Sequence, residues 1–190
     1  MSHLIRSLLA LALVAEGAFA QAPALFCFPN TPGVLNCPCN NPPVPGGGEG
    51  CNNFGGHTGG AVLHVFGNSS ISNDTLYCIA YRENQNVYSL LLESTSANAG
   101  GIVYGAGIRC VTVPIHRVYG RSGFRLSSAQ QIVSWGYGMG DPPLSVDIGA
   151  TAGLTTYFQT WYRDTHAVGH CSDPSATFNI TNAAAVIWTP

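Results

Sequence analysis

From His57 onward, apolar and polar residues alternate in short runs separated by turn residues. The runs are Ala61–Phe66, Asp74–Tyr81, Val87–Glu93, Ile102–Tyr104, Ile108–Val113, Ile115–Tyr119, Phe124–Leu126, Ile132–Tyr137, Leu144–Ile148, Thr155–Arg163 and Phe178–Thr189. Strand-sized runs spaced in this way predict an antiparallel all-β domain, a β-sandwich with a jelly roll as one form of it. No window after residue 20 sustains the apolar i, i+3, i+4, i+7 pattern of a helix. Ala183-Ala184-Ala185 would start a helix, but Val186-Ile187-Trp188 behind it favours a strand. In Thr155–Arg163, alternation puts Tyr157, Gln159, Trp161 and Arg163 on one face, and Phe158, Thr160 and Tyr162 on the other. Both faces carry aromatic area, which predicts a central strand covered on both sides.

Two different patterns precede this body. Residues 1–20 read as a secretory signal peptide. Arg6 is the positive start, Leu8–Val14 the short apolar run, and Ala18-Phe19-Ala20 a small-x-small cleavage site. The run is too short to span a membrane, and no later stretch is long enough. Residues 21–56 are rich in Cys, Pro and Gly and predict a disulfide-stapled segment ahead of the body at 57–190. Residues 21–190 fit one domain of ordinary size.

Charge narrows the partners. Charged residues are 8% of the chain, and after Ala20 six arginines stand against eight acids with no lysine. A net charge near −2 gives no long-range field for nucleic acid or anionic lipid. The polar surface is expected to come from Asn, Ser, Thr and Gly instead. Weak repulsion between copies makes self-association an open route.

Seven cysteines follow the leader: Cys27, Cys37, Cys39, Cys51, Cys78, Cys110 and Cys171. An oxidising compartment favours pairing them. The clustered four suggest two local disulfides, and Cys110 with Cys171 would close a longer loop. Cys78 is then the odd one, either a buried thiol or a bridge to another copy. Cys37-Pro38-Cys39 has one residue between its sulfurs, too few for the usual zinc spacing. No metal or other cofactor is expected.

The segments Phe26-Cys27-Phe28, Cys37-Pro38-Cys39-Asn40-Asn41, Gly50-Cys51, Gly107-Ile108-Arg109-Cys110, Tyr157–Asp164 and Phe178-Asn179-Ile180-Thr181-Asn182 occur in this order along the chain. Together they resemble a family of uncharacterised bacterial secreted β-domains. Those proteins carry Cys-Pro-Cys-Gly-Asn, Gly-Leu-Arg-Cys and Tyr-Gln-x-Trp-Tyr-Arg-Asp. The resemblance implies a secreted domain and supplies no activity. Its six cysteines correspond to all but Cys78. Where that family has acidic Gly-Asp-Gly turns, this chain has Pro29-Asn30-Thr31 and Gly105-Ala106-Gly107, which removes carboxylates a calcium site would use.

Candidate chemistry is sparse. No Gly-x-Ser-x-Gly elbow is present, and no spacing pairs two carboxylates for glycoside hydrolysis. His166 and His170 with Asp164 have the i, i+4 spacing of helical metal ligands, but Gly and Thr around them predict solvated loop histidines. Asn68, Asn73 and Asn179 each begin a glycosylation sequon. Trp161, Tyr162, Arg163 and Asp164 form a candidate ligand-gripping set, with Trp135 and Tyr137 as further exposed-aromatic candidates. The expectation is a secreted, non-catalytic extracellular module for surface structure, adhesion or self-assembly. Its partners would be other copies or cell-surface and matrix components. Carbohydrate binding through exposed aromatics is the first alternative, and a secreted hydrolase the second.

Overall fold

A computed structural model describes residues 21–45, 49–56, 59–173 and 176–190. The leader expected at residues 1–20 lies outside them. The chain is all-β with antiparallel ladders. The strands are β1 (Ala24–Phe26), β2 (Val62–Phe66), β3 (Tyr77–Tyr81), β4 (Tyr88–Ser94), β5 (Ala97–Tyr104), β6 (Gly107–Val111), β7 (His116–Arg117), β8 (Arg125–Leu126), β9 (Ile132–Gly136), β10 (Thr155–Arg163) and β11 (Phe178–Ile187). The main sheet runs β1-β11-β10-β4-β7, with β8 also on β4; β2-β3-β9 form a second sheet, and β5-β6 a hairpin.

The aromatic strand β10 is central, as its two-faced pattern predicts, with β11 on one side and β4 on the other. Phe158, with Leu91, Ala184 and Val186, packs against Leu63, Val65, Cys78, Ala80 and Trp135 of the second sheet. The opposite face meets the hairpin, where Ala183 and Tyr157 contact Ile108, Cys110 and Val111. The main sheet is thus covered on both faces, by a sheet and by a hairpin.

Leu144–Ile148, expected as a strand, is one short helix, α1. Five residues are too few for periodicity to decide between the two states. The ends decide instead. Pro143 precedes the helix, Gly149 ends it in the left-handed region at φ 65°, and the Asp74 carboxylate accepts the Ser145 N–H at 2.7 Å.

The disulfides are Cys27–Cys110, Cys37–Cys51 and Cys39–Cys171. The expected second local bridge and the Cys110–Cys171 bridge are therefore incorrect. Closeness in sequence misled because β1 joins the main sheet beside β11 and carries Cys27 to β6. Cys78 is a fully buried free thiol in β3, so a bridge from it to another copy has no surface to form on. Burial also pushes its pKa up, away from reactive thiolate.

Amides and hydroxyls do serve the surface, as Ser72, Asn73, Asn98 and Thr151 show, but a further set of amides lies inside. Asn41, Asn53, Asn84, Gln159, Asn179 and Asn182 are buried. Gln159 in β10 accepts the Cys110 and Val111 N–H groups at 3.0 and 3.3 Å. Its amide nitrogen donates to the Ile108 and Thr181 carbonyls at 2.9 and 2.7 Å. Asn182 in β11 accepts the Leu63 N–H at 2.8 Å and donates to the Leu63 carbonyl at 3.2 Å, so one side chain occupies both polar groups of a β2 residue. Asn179 donates to the Cys51 and Asn52 carbonyls. Asn41 donates to those of Asn52 and Ala106. Backbones pack closely around these contacts. A Cβ on Gly50 would stand 2.2 Å from the Ile180 carbonyl oxygen.

Gln159→Leu keeps most of the volume but leaves two N–H groups and two carbonyls buried without this partner. The expected loss is about 3–5 kcal/mol, read from urea unfolding with the disulfides intact. A loss under ~1 kcal/mol would show that these bonds do not hold the hairpin to the sheet.

Candidate functional site

The hairpin leaves one part of its face of the main sheet open, where β11 begins and β10 ends. Strand alternation selects the side chains there. Trp161 lies opposite Leu90, Arg163 opposite Phe178, and Arg117 opposite Leu92. Leu90 and Leu92 are buried and make the floor. With Tyr104 and Phe124 they border a groove of about 370 Å³.

The groove is aromatic and cationic. The Phe178 ring centroid lies 4.8 Å from Tyr104 and 5.6 Å from Trp161. All three rings are half-buried, so each keeps contact with solvent. The Arg163 guanidinium sits 5.4 Å over the Trp161 ring and donates to the Thr177 hydroxyl at 2.9 Å. Arg109 sits 4.5 Å over Tyr104. No carboxylate is among the described lining residues. Such a surface can stack against the C–H face of a ring and place charged donors at its edge.

Of the candidate residues, Trp161 and Arg163 meet in this groove. Tyr162 points to the other face and is fully buried. Asp164 is fully buried too, accepting the Phe54 and Gly55 N–H groups at 2.9 and 3.2 Å and the Asn84 amide at 2.9 Å. It fastens the stapled segment. Trp135 is a core residue of the second sheet, its indole N–H donating to the Gly123 carbonyl at 2.8 Å. Tyr137 is exposed, in the turn after β9 and outside the groove. The expected set of four therefore divides in two, because successive strand residues face opposite sides. His170 stacks on Phe54 at 4.6 Å. Asn179 is buried within its sequon.

Tyr104, Phe178, Arg117 and Phe124 were not among the candidates. Tyr104 and Phe178 belong to predicted strands, but the signal that joins them is strand order, which a single run does not carry. A larger hollow of about 570 Å³ is lined by Pro29, Pro42, Pro43 and Pro45 with Phe28 and Val44 among others, beside residues 46–48, which are outside the described ones.

A second polar group lies beneath the opposite face. Glu83 is fully buried and accepts the Ser89 hydroxyl at 2.8 Å. Burial raises its pKa from 4.5 to about 8, against the lowering effect of Ser89. Tyr162, beside it, is also pushed up, first by burial and then by Asp164 and Glu83. Glu83 is sealed from solvent, so its place is in stability. No family model matches the chain, and no curated protein or solved structure matches it.

The sign of the Glu83 effect follows from the shift. Below pH 4.5 the group is neutral folded and unfolded, and its contribution is fully present. Between 4.5 and about 8 only the folded chain keeps the proton, so stability falls as pH rises, then levels off. Glu93, raised to about 7 by burial and Asp147, acts in the same direction. The expected result is a chain at least ~1 kcal/mol less stable at pH 8.5 than at pH 5, with Glu83→Gln shrinking that difference. Equal slopes in wild type and variant, from urea unfolding across this range, would contradict the assignment.

Proposed function

We propose that this chain is an exported, non-catalytic adhesion module that holds saccharide in the Trp161 groove. This reading joins adhesion, one of the leading roles expected from sequence, to the first alternative, carbohydrate binding through exposed aromatics. The observation that carries the reading is the cluster of Trp161, Phe178 and Tyr104, half-exposed over a floor of buried leucines. Sugars present apolar C–H faces that stack on such rings and hydroxyls that bond to polar groups at the rim. Thr177 and the guanidiniums of Arg163 and Arg117 supply that rim.

The position of the groove supports recognition over turnover. General acid–base cleavage of a glycoside uses a pair of carboxylates flanking the bond. The groove offers aromatic, aliphatic, threonine and arginine side chains. Asp164, next in sequence, is turned inward and already holds three donors.

The rings sit on a rigid base. β10 and β11 are the middle of the main sheet, and Cys39–Cys171 ties the loop between them to the N-terminal segment. Preorganised rings lose little entropy on binding, which suits an adhesive site built from few contacts.

Trp161→Ala removes the central ring while leaving the floor in place. Retention on immobilised polysaccharides, together with titration of soluble oligosaccharides, should show at least a tenfold loss for every glycan the wild type holds, about 1.4 kcal/mol or more. Circular dichroism checks that the variant is folded. Binding undiminished in a folded variant, or no retention of the wild type on any glycan tested, would overturn this reading.

A further inference from the structure

We infer that the saccharide this groove selects is anionic, bearing carboxylate or sulfate groups. The inference rests on the proposed saccharide site and specifies its ligand class.

Three observations converge on it. First, the distribution of charge is uneven. The chain as a whole is acidic by −2, yet the groove is lined by Arg117 and Arg163 with no acid among its described lining residues. Second, the arginine–carboxylate pairs of the described residues lie elsewhere. Arg82 pairs with Glu49, and Arg125 with Asp141. The strands thus place two guanidiniums at the groove, opposite Phe178 and Leu92, while the carboxylates of β4 and the β10 terminus are buried. Glu93 points away from Leu92 by alternation, and Asp164 holds backbone N–H groups.

Third, the guanidinium of Arg163 is oriented. It lies over Trp161 and is tethered by Thr177. A guanidinium is planar and presents its edge N–H groups in that plane, the geometry that grips a carboxylate or sulfate by two parallel bonds. A ring stacked in the groove with its acidic substituent toward that edge would use both halves of the site at once. Arg109, over Tyr104, adds positive potential from the hairpin side.

Carboxylate and sulfate share this recognition chemistry, so the test separates them. The disulfide-intact chain is titrated by calorimetry with oligogalacturonate and its methyl ester, and with dextran sulfate and dextran. The titrations are repeated for the double variant Arg117→Gln with Arg163→Gln and for Trp161→Ala.

The expected result is at least tenfold tighter binding of the acidic member of one pair than of its neutral partner. That preference should be lost in the double arginine variant, which keeps weak neutral binding, and it should weaken as salt is raised. The pair showing the preference names the acidic group. Equal affinity for acidic and neutral members, with binding still dependent on Trp161, would overturn the inference and leave the saccharide reading standing. Acidic polymers bound as tightly by Trp161→Ala as by wild type would overturn it as well, since surface charge alone would then be responsible. Wild-type binding to none of the four would overturn the inference, and retention of the wild type on another, neutral glycan would then leave the saccharide reading standing.

Discussion

Buried side-chain amides of β10 and β11, and the carboxylate just after β10, complete the backbone hydrogen bonding of segments that lie outside the main sheet. Gln159 serves β6, Asn182 serves β2, Asn179 serves the Cys51–Asn52 stretch, and Asp164 serves Phe54 and Gly55. An unpaired backbone group inside a protein costs about as much as a lost hydrogen bond. A Cys- and Gly-rich segment can lie against a sheet only if each of its polar groups is met. Here the sheet meets them with side chains, and the disulfides hold the segments where those side chains reach.

That arrangement accounts for the composition. A chain with 8% charged residues has few ion pairs available, and a set of its amides serves inside as well as on the surface. It also accounts for the shape of the candidate site. The hairpin is anchored over Ala183 and Tyr157, and its far end brings Tyr104 against Phe178. The wall of the groove is therefore set by the same bonds that hold β6. The shape of the groove and the stability of the fold share one cause here, since loosening Gln159 would also loosen Tyr104.

Much of the fold is legible in the sequence. Period-two alternation marks the strands, and the aromatic load on both faces of Thr155–Arg163 marks the central one. Two kinds of information are not. The disulfide partners depend on which strands become neighbours, and β1, three residues long, gives too short a run to reveal that it joins β11. Whether an amide is buried depends on a backbone group arriving from far along the chain, as Leu63 does at Asn182 across 119 positions. The candidate site was half legible for the same reason. Trp161 and Arg163 share a face by alternation, and that same rule removes Tyr162 and Asp164 from it. Tyr104, Phe178 and Arg117 come from three other strands and are joined to them only by topology.

Native-state hydrogen exchange reads the central claim most directly, because it reports individual backbone amides. The N–H groups of Leu63, Phe54, Cys110 and Val111 are bonded to side chains of β10, β11 and the residue after β10. If those side chains hold the layers together, these four amides exchange as slowly as the strand-paired amides of β10, through global unfolding. Exchange at the rate of exposed loops, with β10 still protected, would mean that the segments are held by disulfides alone and that the buried amides are passengers.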